Sequence, residues 1–218
     1  CDSSLLEGNP IHEDMTEACA MLEPDFLLNT VFTPDGAVSE IVAGHWYEAW
    51  EKGCQDLLKM AGVKIKELAD VVIASAGGYP KDLNLYQSIK CHMNAAFAVK
   101  KGGIMIFTLD CEDIKEPAIF TDCFSRSNLE QFEKDIREAF TVPAFVAFKG
   151  RNILSDVTAY LVTRPENFDF VKRTGHIPCA TLEEAWSLAQ AKLAKQGKHD
   201  YTITIMGHGS ATLPILEQ

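Results

Sequence analysis

Residues 71 to 78, Val-Val-Ile-Ala-Ser-Ala-Gly-Gly, form an unbroken run of small and apolar residues that stops at two glycines, and a helix-patterned stretch follows. Such a run reads as a strand buried on both faces, which requires a sheet with helices on each side. The pattern recurs. Ile104 to Leu109, Val157 to Val162 and Tyr201 to Met206 read as further strands. Between them lie helical stretches: one opened by Ser127 or Asn128 and running to about Ala139, one from Pro143 to about Leu154 whose mixed aromatic and small residues also allow a strand but which reads better as helix, a short one within Glu166 to Thr174, and one from Thr181 to Gln196. Alternation of this kind predicts an α/β fold, a parallel sheet with helices on both faces.

The helix after Gly77-Gly78 has two different sides. At about 100° per residue, Leu85, Ile89, Met93 and Ala96 share a core-facing side, while Tyr86, Gln87, Lys90 and Asn94 share a polar one. An ammonium, an amide and a phenol together suit a small anion that also carries a hydroxyl or carbonyl group. The competing reading is an ordinary solvated helix face. The helix is read as closing at Lys101-Gly102-Gly103, just before the second strand.

The first part of the chain is organised differently. Asn9-Pro10 is a helix opening, with Asn as cap and Pro in the first helical position. Met15, Ala18, Cys19 and Leu22 follow at helical spacing, and Pro24 ends the element. Phe26 to Phe32 and Ala37 to Ala43 then read as a β-hairpin around the Thr33-Pro-Asp-Gly36 turn. A helix from His45 to Ala61 closes at Gly62, and Val63 to Asp70 reads as a link. A domain boundary is therefore expected at about residue 62, giving domains 1–62 and 63–218.

At 218 residues and 47% hydrophobic, the chain has enough material for a substantial core. A net charge of −11 with no Lys/Arg cluster argues against a nucleic-acid partner, whose phosphates need clustered cations. That charge also repels acidic ligands, so attraction to a carboxylate has to come from a local group such as Lys90. Cys1, Cys19, Cys54, Cys91, Cys111, Cys123 and Cys179 are scattered, with no C-x-x-C and no zinc-like spacing, and read as reduced thiols of a cytoplasmic protein. The apolar runs are too short for a membrane span.

Other constellations carry less. The Ser75-Ala-Gly-Gly78 turn is a candidate anion-holding turn at a helix N-terminus, with Gly77 and Gly78 as its centre, but it lacks the order of a dinucleotide or P-loop fingerprint. A tight strand-to-helix connection explains it equally well. Gly207-His208-Gly-Ser210 follows the last strand, where α/β proteins hold ligands, and a Ser/His acyl hydrolase is one alternative function. A non-catalytic phosphate- or nucleotide-binding domain is another. Cys91 reads as a buried thiol, since Cys91 and His92 diverge on a helix. His12, Glu13 and Asp14 suit a helix first turn, and His45-Trp46-Tyr47 reads as a helix start packing its aromatics. None of the histidines, His12, His45 and His208 included, is assigned a metal or catalytic role, and no metal ligand is expected in the chain.

Two blocks resemble the nickel-pincer-dependent lactate racemase family. One is Ser75-Ala-Gly-Gly-Tyr-Pro-Lys-Asp82 followed by Tyr86-Gln87-Ser-Ile-Lys90, similar to the family's glycine-proline-aspartate turn and Tyr-Gln-x-x-Lys helix. The other is Glu7-Gly-Asn-Pro-Ile-His-Glu-Asp-Met15, continued by Phe26-Leu-Leu-Asn-Thr-Val, the Asp35-Gly36 turn and Ala43-Gly44. The resemblance implies a racemase or epimerase of 2-hydroxy acids that works by hydride transfer to a nickel pincer nucleotide. It implies that Tyr86, Gln87 and Lys90 bind substrate as the C-terminal domain closes, with Lys90 opposite the carboxylate. It also implies that the catalytic histidines, the cofactor-bearing lysine and the nickel ligand lie upstream of Gly8-Asn9-Pro10. The expectation is thus the C-terminal half of a family member, inactive alone. Residues 1–62 would be the tail of the catalytic domain and residues 63–218 the closing domain.

Overall fold

Asn9 accepts hydrogen bonds from the backbone N–H groups of Ile11 and His12, and with Pro10 at its first position helix α1 runs Pro10–Leu22. Capping satisfies donors that the first turn leaves without partners, and Pro has no N–H to lose there. Glu23, left-handed at φ 42°, ends the helix by donating its N–H to the carbonyl of Cys19. The computed structural model describes residues 3–125 and 128–217. Cys1 and the alternative cap Ser127 lie outside that range. The chain divides into two compact units, one ending at Gly62 and the other starting at Val63.

In the first unit, strands β1 (Leu27–Phe32) and β2 (Val38–Gly44) form an antiparallel hairpin, with Leu27 opposite Gly44. Its turn is tied by a 2.8 Å bond from Thr33 N–H to the Ala37 carbonyl, with Gly36 at φ 88°. Helix α2 (Trp46–Ala61) packs on the hairpin, and Val31, Val42 and Ala49 are the buried residues between them. Gly53 permits the approach: a Cβ there would lie 3.4 Å from a Val42 methyl.

Strand β3 (Gly62–Ile65) starts at the last residue of the first unit and leads into the second, followed by β4 (Ala69–Ser75), helix α3 (Leu85–Ala96) and β5 (Val99–Thr108). Short helix α4 (Ala118–Thr121), a 3-10 turn, and helices α5 (Leu129–Glu138) and α6 (Val142–Ser155) lead to β6 (Thr158–Val162). After α7 (Phe168–Val171), flanked by 3-10 turns, come β7 (Ile177–Cys179), α8 (Leu182–Lys195), β8 (Ile203–Met206) and β9 (Leu213–Leu216). Five strands make one parallel sheet in the order β7-β6-β5-β4-β8. Alternation along the strands then decides which residues face which helices. Val72, Ala74, Met105, Phe107, Leu161 and Met206 cluster with Leu85 and Ala95 of α3, Ala147 of α6 and Phe132 of α5. Val71, Ile104, Ile106 and Tyr160 cluster instead with Ala185, Ala189 and Leu193 of α8. Helices therefore cover both faces. Helices α3 and α6 meet at Gly150, where a Cβ would lie 2.5 Å from the Ile89 side chain.

At the N-terminal end of the sheet, the Asp70 carboxylate accepts from Lys100 Nζ at 2.8 Å, Lys198 Nζ at 2.6 Å, and both the N–H and hydroxyl of Thr202 at 3.2 Å. Asp70 is buried. Lys100 and then Lys198 hold its carboxyl far below the usual carboxylate range. This cluster joins β4 to β5 and to the segments entering β8.

Several expected boundaries change. Gly102-Gly103 is not the end of α3 but an irregularity inside β5, whose register against β4 shifts between Ala69 and Val71. Gly102 sits at φ 75°, and a Cβ on Gly103 would meet the Lys100 carbonyl at 2.8 Å. The expected link Val63 to Asp70 contains β3, which pairs with β9, and neither β7 nor β9 is visible as a sequence pattern. Asn128 caps α5, its side chain accepting from Gln131 N–H at 2.7 Å. Thr181 caps α8 by accepting from Glu184 N–H at 3.1 Å, while Glu184 reaches back to Ala180 N–H at 2.7 Å.

Candidate functional site

Strand β4 delivers the chain to the C-terminal edge of the parallel sheet, where α/β proteins bind ligands. Gly77 and Gly78 follow at φ 103° and 77°, left-handed values that a side chain strains to adopt. A cis Tyr79–Pro80 bond comes next. The turn folds back on itself through a 2.8 Å bond from Lys81 N–H to the Gly78 carbonyl. Helix α3 starts only at Leu85, and Asn84 caps it by accepting from Gln87 N–H at 2.9 Å. The glycine turn therefore does not feed directly into a helix N-terminus. Six residues separate the two features, and the Asn84 side chain occupies the helix end.

Asp82 from the same turn is structural. Its carboxylate lies 3.4 Å from Asp110 N–H and its carbonyl accepts from Cys111 N–H at 2.9 Å. Asp110 in turn accepts two bonds from Arg164, at 2.7 and 2.6 Å. The guanidinium holds the Asp110 carboxyl below its ordinary range. That paired fork fixes the loops after β5 and β6.

On α3 itself, Gln87 and Lys90 are exposed and Tyr86 is half-buried, its ring edge-on to Phe120 at 5.3 Å. Among the described residues, no carboxylate lies within ion-pair distance of Lys90, and neither the Gln87 amide nor the Tyr86 hydroxyl has a hydrogen-bond partner. Arg164 is engaged and Lys90 is not, in a chain with 31 acidic against 20 basic residues. Asn94 departs from the expected open face, donating from Nδ2 to the Gly209 carbonyl at 2.8 Å.

The buried side of α3 is also wider than its apolar periodicity predicts. Leu85, Ser88, Ile89, Cys91, His92 and Ala95 are buried, whereas Met93 and Ala96 are only half-buried. Ser88 and His92 can go inside because their polar atoms are satisfied there. The Ser88 hydroxyl donates to the Asn84 carbonyl at 2.9 Å, and His92 Nδ1 lies 3.1 Å from the Ser88 carbonyl. His92 stacks on Phe107 at 3.8 Å, and its Nε2 is 2.9 Å from Nε2 of His176. Nδ1 of His176 is 2.8 Å from the Thr174 hydroxyl. Burial pushes His92 down to about 4, and burial followed by the His92 charge drives His176 well below its ordinary value. Sequence reasoning missed this pair. Only the polarity of His92 amid core-spaced neighbours hinted at it.

The loop after β8 closes over the same edge. Gly209 N–H donates to the Ser75 carbonyl at 2.7 Å, and a Cβ on Gly209 would lie 2.5 Å from Cys91 Sγ. The Ser210 hydroxyl is buried without a hydrogen-bond partner among the described residues, so it forms no pair with His208. A Ser/His hydrolase arrangement is not assembled. Cys91, Cys111 and Cys179 are all buried, and that burial pushes their thiols up to about 12, 12 and 11.

The first unit has an apolar cleft of about 240 Å³ lined by Met15, Phe26, Trp46 and Trp50, with His12 stacked on Trp50 at 4.7 Å. His45 precedes α2 without a side-chain capping bond and tilts against Trp46 at 5.7 Å. Among the described residues, no group of three or more His, Cys, Asp or Glu could hold a metal ion, and no helix is long and apolar enough to cross a membrane.

Comparison with known proteins places these features in context. Residues 64–213 match the family described as lactate racemase C-terminal domain. The chain is 31% identical over 201 residues to a lactate racemase of Thermoanaerobacterium thermosaccharolyticum, covering 90% of this chain and 47% of that protein. It is 32% identical over 108 residues to a lactate racemase of Lactiplantibacillus plantarum, covering 50% and 25% of the respective chains. The lactate racemase apoprotein structure from T. thermosaccharolyticum superposes with a TM-score of 0.86 at 29% identity, over 97% of this chain and 51% of that one. A Thermotoga maritima protein at 15% identity and TM-score 0.63 shares the fold. The chain spans about half the length of its Thermoanaerobacterium relative.

Proposed function

Because the chain belongs to the lactate racemase family and carries its C-terminal domain, we propose that it is the substrate-closing part of a racemase or epimerase acting on 2-hydroxy acids. The observation that carries this reading is the unpaired Lys90 ammonium, exposed beside Gln87 on a helix whose other side is locked into the core. In an acidic protein, a cation left without a carboxylate is available to an anionic ligand. Lys90 receives the substrate carboxylate. Gln87 gives or takes a hydrogen bond at the hydroxyl or carbonyl oxygen, and Tyr86, steadied by Phe120, closes the side and excludes water.

Residues 1–62 then belong to the catalytic domain and residues 63–218 form the substrate-closing domain. A nickel pincer nucleotide, attached to a lysine outside residues 1–218, supplies a reversible acceptor for the hydride on the substrate α-carbon. The described residues offer no metal-holding cluster, so no step is assigned to nickel within this chain. The general bases also belong outside it, the protein works in the cytoplasm, and residues 1–218 alone do not turn over substrate.

The test is direct. The full-length protein loaded with cofactor is expected to interconvert D- and L-2-hydroxy acids, followed by chiral chromatography, whereas residues 1–218 alone leave either enantiomer unchanged. Failure of the loaded protein to racemise any 2-hydroxy acid overturns the reading.

A further inference from the structure

His208 was assigned no role by its sequence context, yet the structure holds it in place at the candidate site. A Cβ on Gly77 would lie 2.9 Å from His208 Nδ1 and 3.7 Å from the Lys81 stem, so the imidazole fills the space that a side chain on Gly77 would take. The next residue is fastened twice, by Gly209 N–H to the Ser75 carbonyl at 2.7 Å and by Asn94 Nδ2 to the Gly209 carbonyl at 2.8 Å. Gly209 in turn has no room for a side chain against Cys91. Two close glycine contacts and two hydrogen bonds thus fix a loop whose one histidine stays exposed. Among the described residues its ring has neither a hydrogen bond nor an ion pair.

The anchor also relates His208 to the polar stripe of α3. Asn94 lies one helical turn beyond Lys90 and shares its side of the helix. The stripe of Gln87 and Lys90 therefore leads to the loop that carries His208. We propose that His208 is a further substrate-contacting residue of the closing face, donating a hydrogen bond to the carboxylate end of the 2-hydroxy acid alongside Lys90. The assignment rests on the racemase reading. It explains why the glycine turn resembled an anion site in sequence: the turn does not hold the anion through its own amides but makes room for the ring that does.

The experiment uses the full-length, cofactor-loaded protein with wild type, His208→Ala, His208→Gln, Gly77→Ala and the Gly77→Ala/His208→Ala double variant. Loss of one donor to a carboxylate is expected to raise KM on the order of tenfold in His208→Ala with kcat within about twofold, and the amide of His208→Gln to recover much of the loss. Gly77→Ala, which displaces the ring and also strains the backbone at φ 103°, is expected to raise KM at least as much, and adding His208→Ala to it is expected to cost little more, because the ring contact is already lost. An active wild type with an unchanged KM in His208→Ala overturns this assignment alone. So do fully additive effects of the two substitutions. A wild type that racemises no 2-hydroxy acid overturns the racemase reading and this assignment with it.

Discussion

Lys90→Ala in the full-length enzyme is expected to lower kcat/KM for racemisation by more than tenfold while leaving the melting temperature unchanged. Both halves follow from the geometry. The ammonium touches no carboxylate among the described residues, so its removal breaks nothing that stabilises the fold. Its neighbours on the buried side, Ile89 and Cys91, remain packed as before. A substrate carboxylate, by contrast, loses its charge-assisted partner in a protein of net charge −11, which otherwise repels it. Deleting such a contact costs on the order of tenfold to a hundredfold. Lys90→Arg, which keeps the positive charge on a longer, planar head, is expected to recover part of the rate. Wild-type kinetics in Lys90→Ala would remove Lys90 from the site.

The second large effect is acid-induced loss of stability in the second unit. The His92 and His176 rings face each other through Nε2 at 2.9 Å, and one hydrogen has to lie between them. His92 donates from Nδ1 to the Ser88 carbonyl, which leaves its Nε2 as an acceptor. His176 therefore donates from Nε2, and its Nδ1 competes with the Val171 carbonyl, 2.7 Å away, for the single hydrogen of the Thr174 hydroxyl. The neutral pair then keeps one hydrogen bond between its rings and one to the Ser88 carbonyl. A further proton would have to enter a buried site where Phe107 stacks on one ring and no carboxylate compensates among the described residues.

The unfolded chain meets no such obstacle and takes up protons near 6.5, whereas folded His92 waits until about 4. A histidine depressed in this way contributes stability that is complete above its unfolded value and lost as pH falls towards its folded one. For His92 the loss amounts to about 3 kcal/mol between pH 6.5 and 4, and His176 adds to it in the same direction. Asp70 extends the loss at still lower pH. Its carboxyl is held down by Lys100 and Lys198, so its contribution is present above 3.8 and disappears as acid protonates it. Urea midpoints at pH 7, 5.5 and 4.5 measure the effect. His92→Leu is expected to flatten the slope, and a wild type equally stable at all three values would show that the pair does not resist protonation.

The helical caps and the strand-helix alternation were legible because both are local. Asn9-Pro10 and Thr181 announce helix starts within four residues, and β4 is legible from its apolar run alone. Long-range pairing left no such trace. Strand β3 finds β9 about 150 residues later, and β7 is three residues with a proline at its centre. The Gly102-Gly103 pair misled because glycine serves a helix end and a strand irregularity equally well. At the candidate site, periodicity identified Gln87 and Lys90 as exposed. It could not show that Tyr86 leans on Phe120 or that Asn94 reaches a loop 115 residues away. Nor could it place Ser88 and His92 inside, since their burial depends on partners supplied by the fold.

The deep thiols have a practical consequence. With burial pushing Cys91, Cys111 and Cys179 up to about 12, 12 and 11, an electrophile in neutral solution meets almost no thiolate at these positions while the fold is shut. Among the described cysteines, Cys19 on α1 and Cys54 on α2 are the half-buried ones and more open to attack. Each deep thiol belongs to a different part of the second unit: Cys91 to the helix bearing Lys90, Cys111 to the loop tied by Asp82, and Cys179 to the edge strand β7. The pattern of alkylated cysteines therefore records which part of this unit has opened, and in what order, without any label being added to the chain.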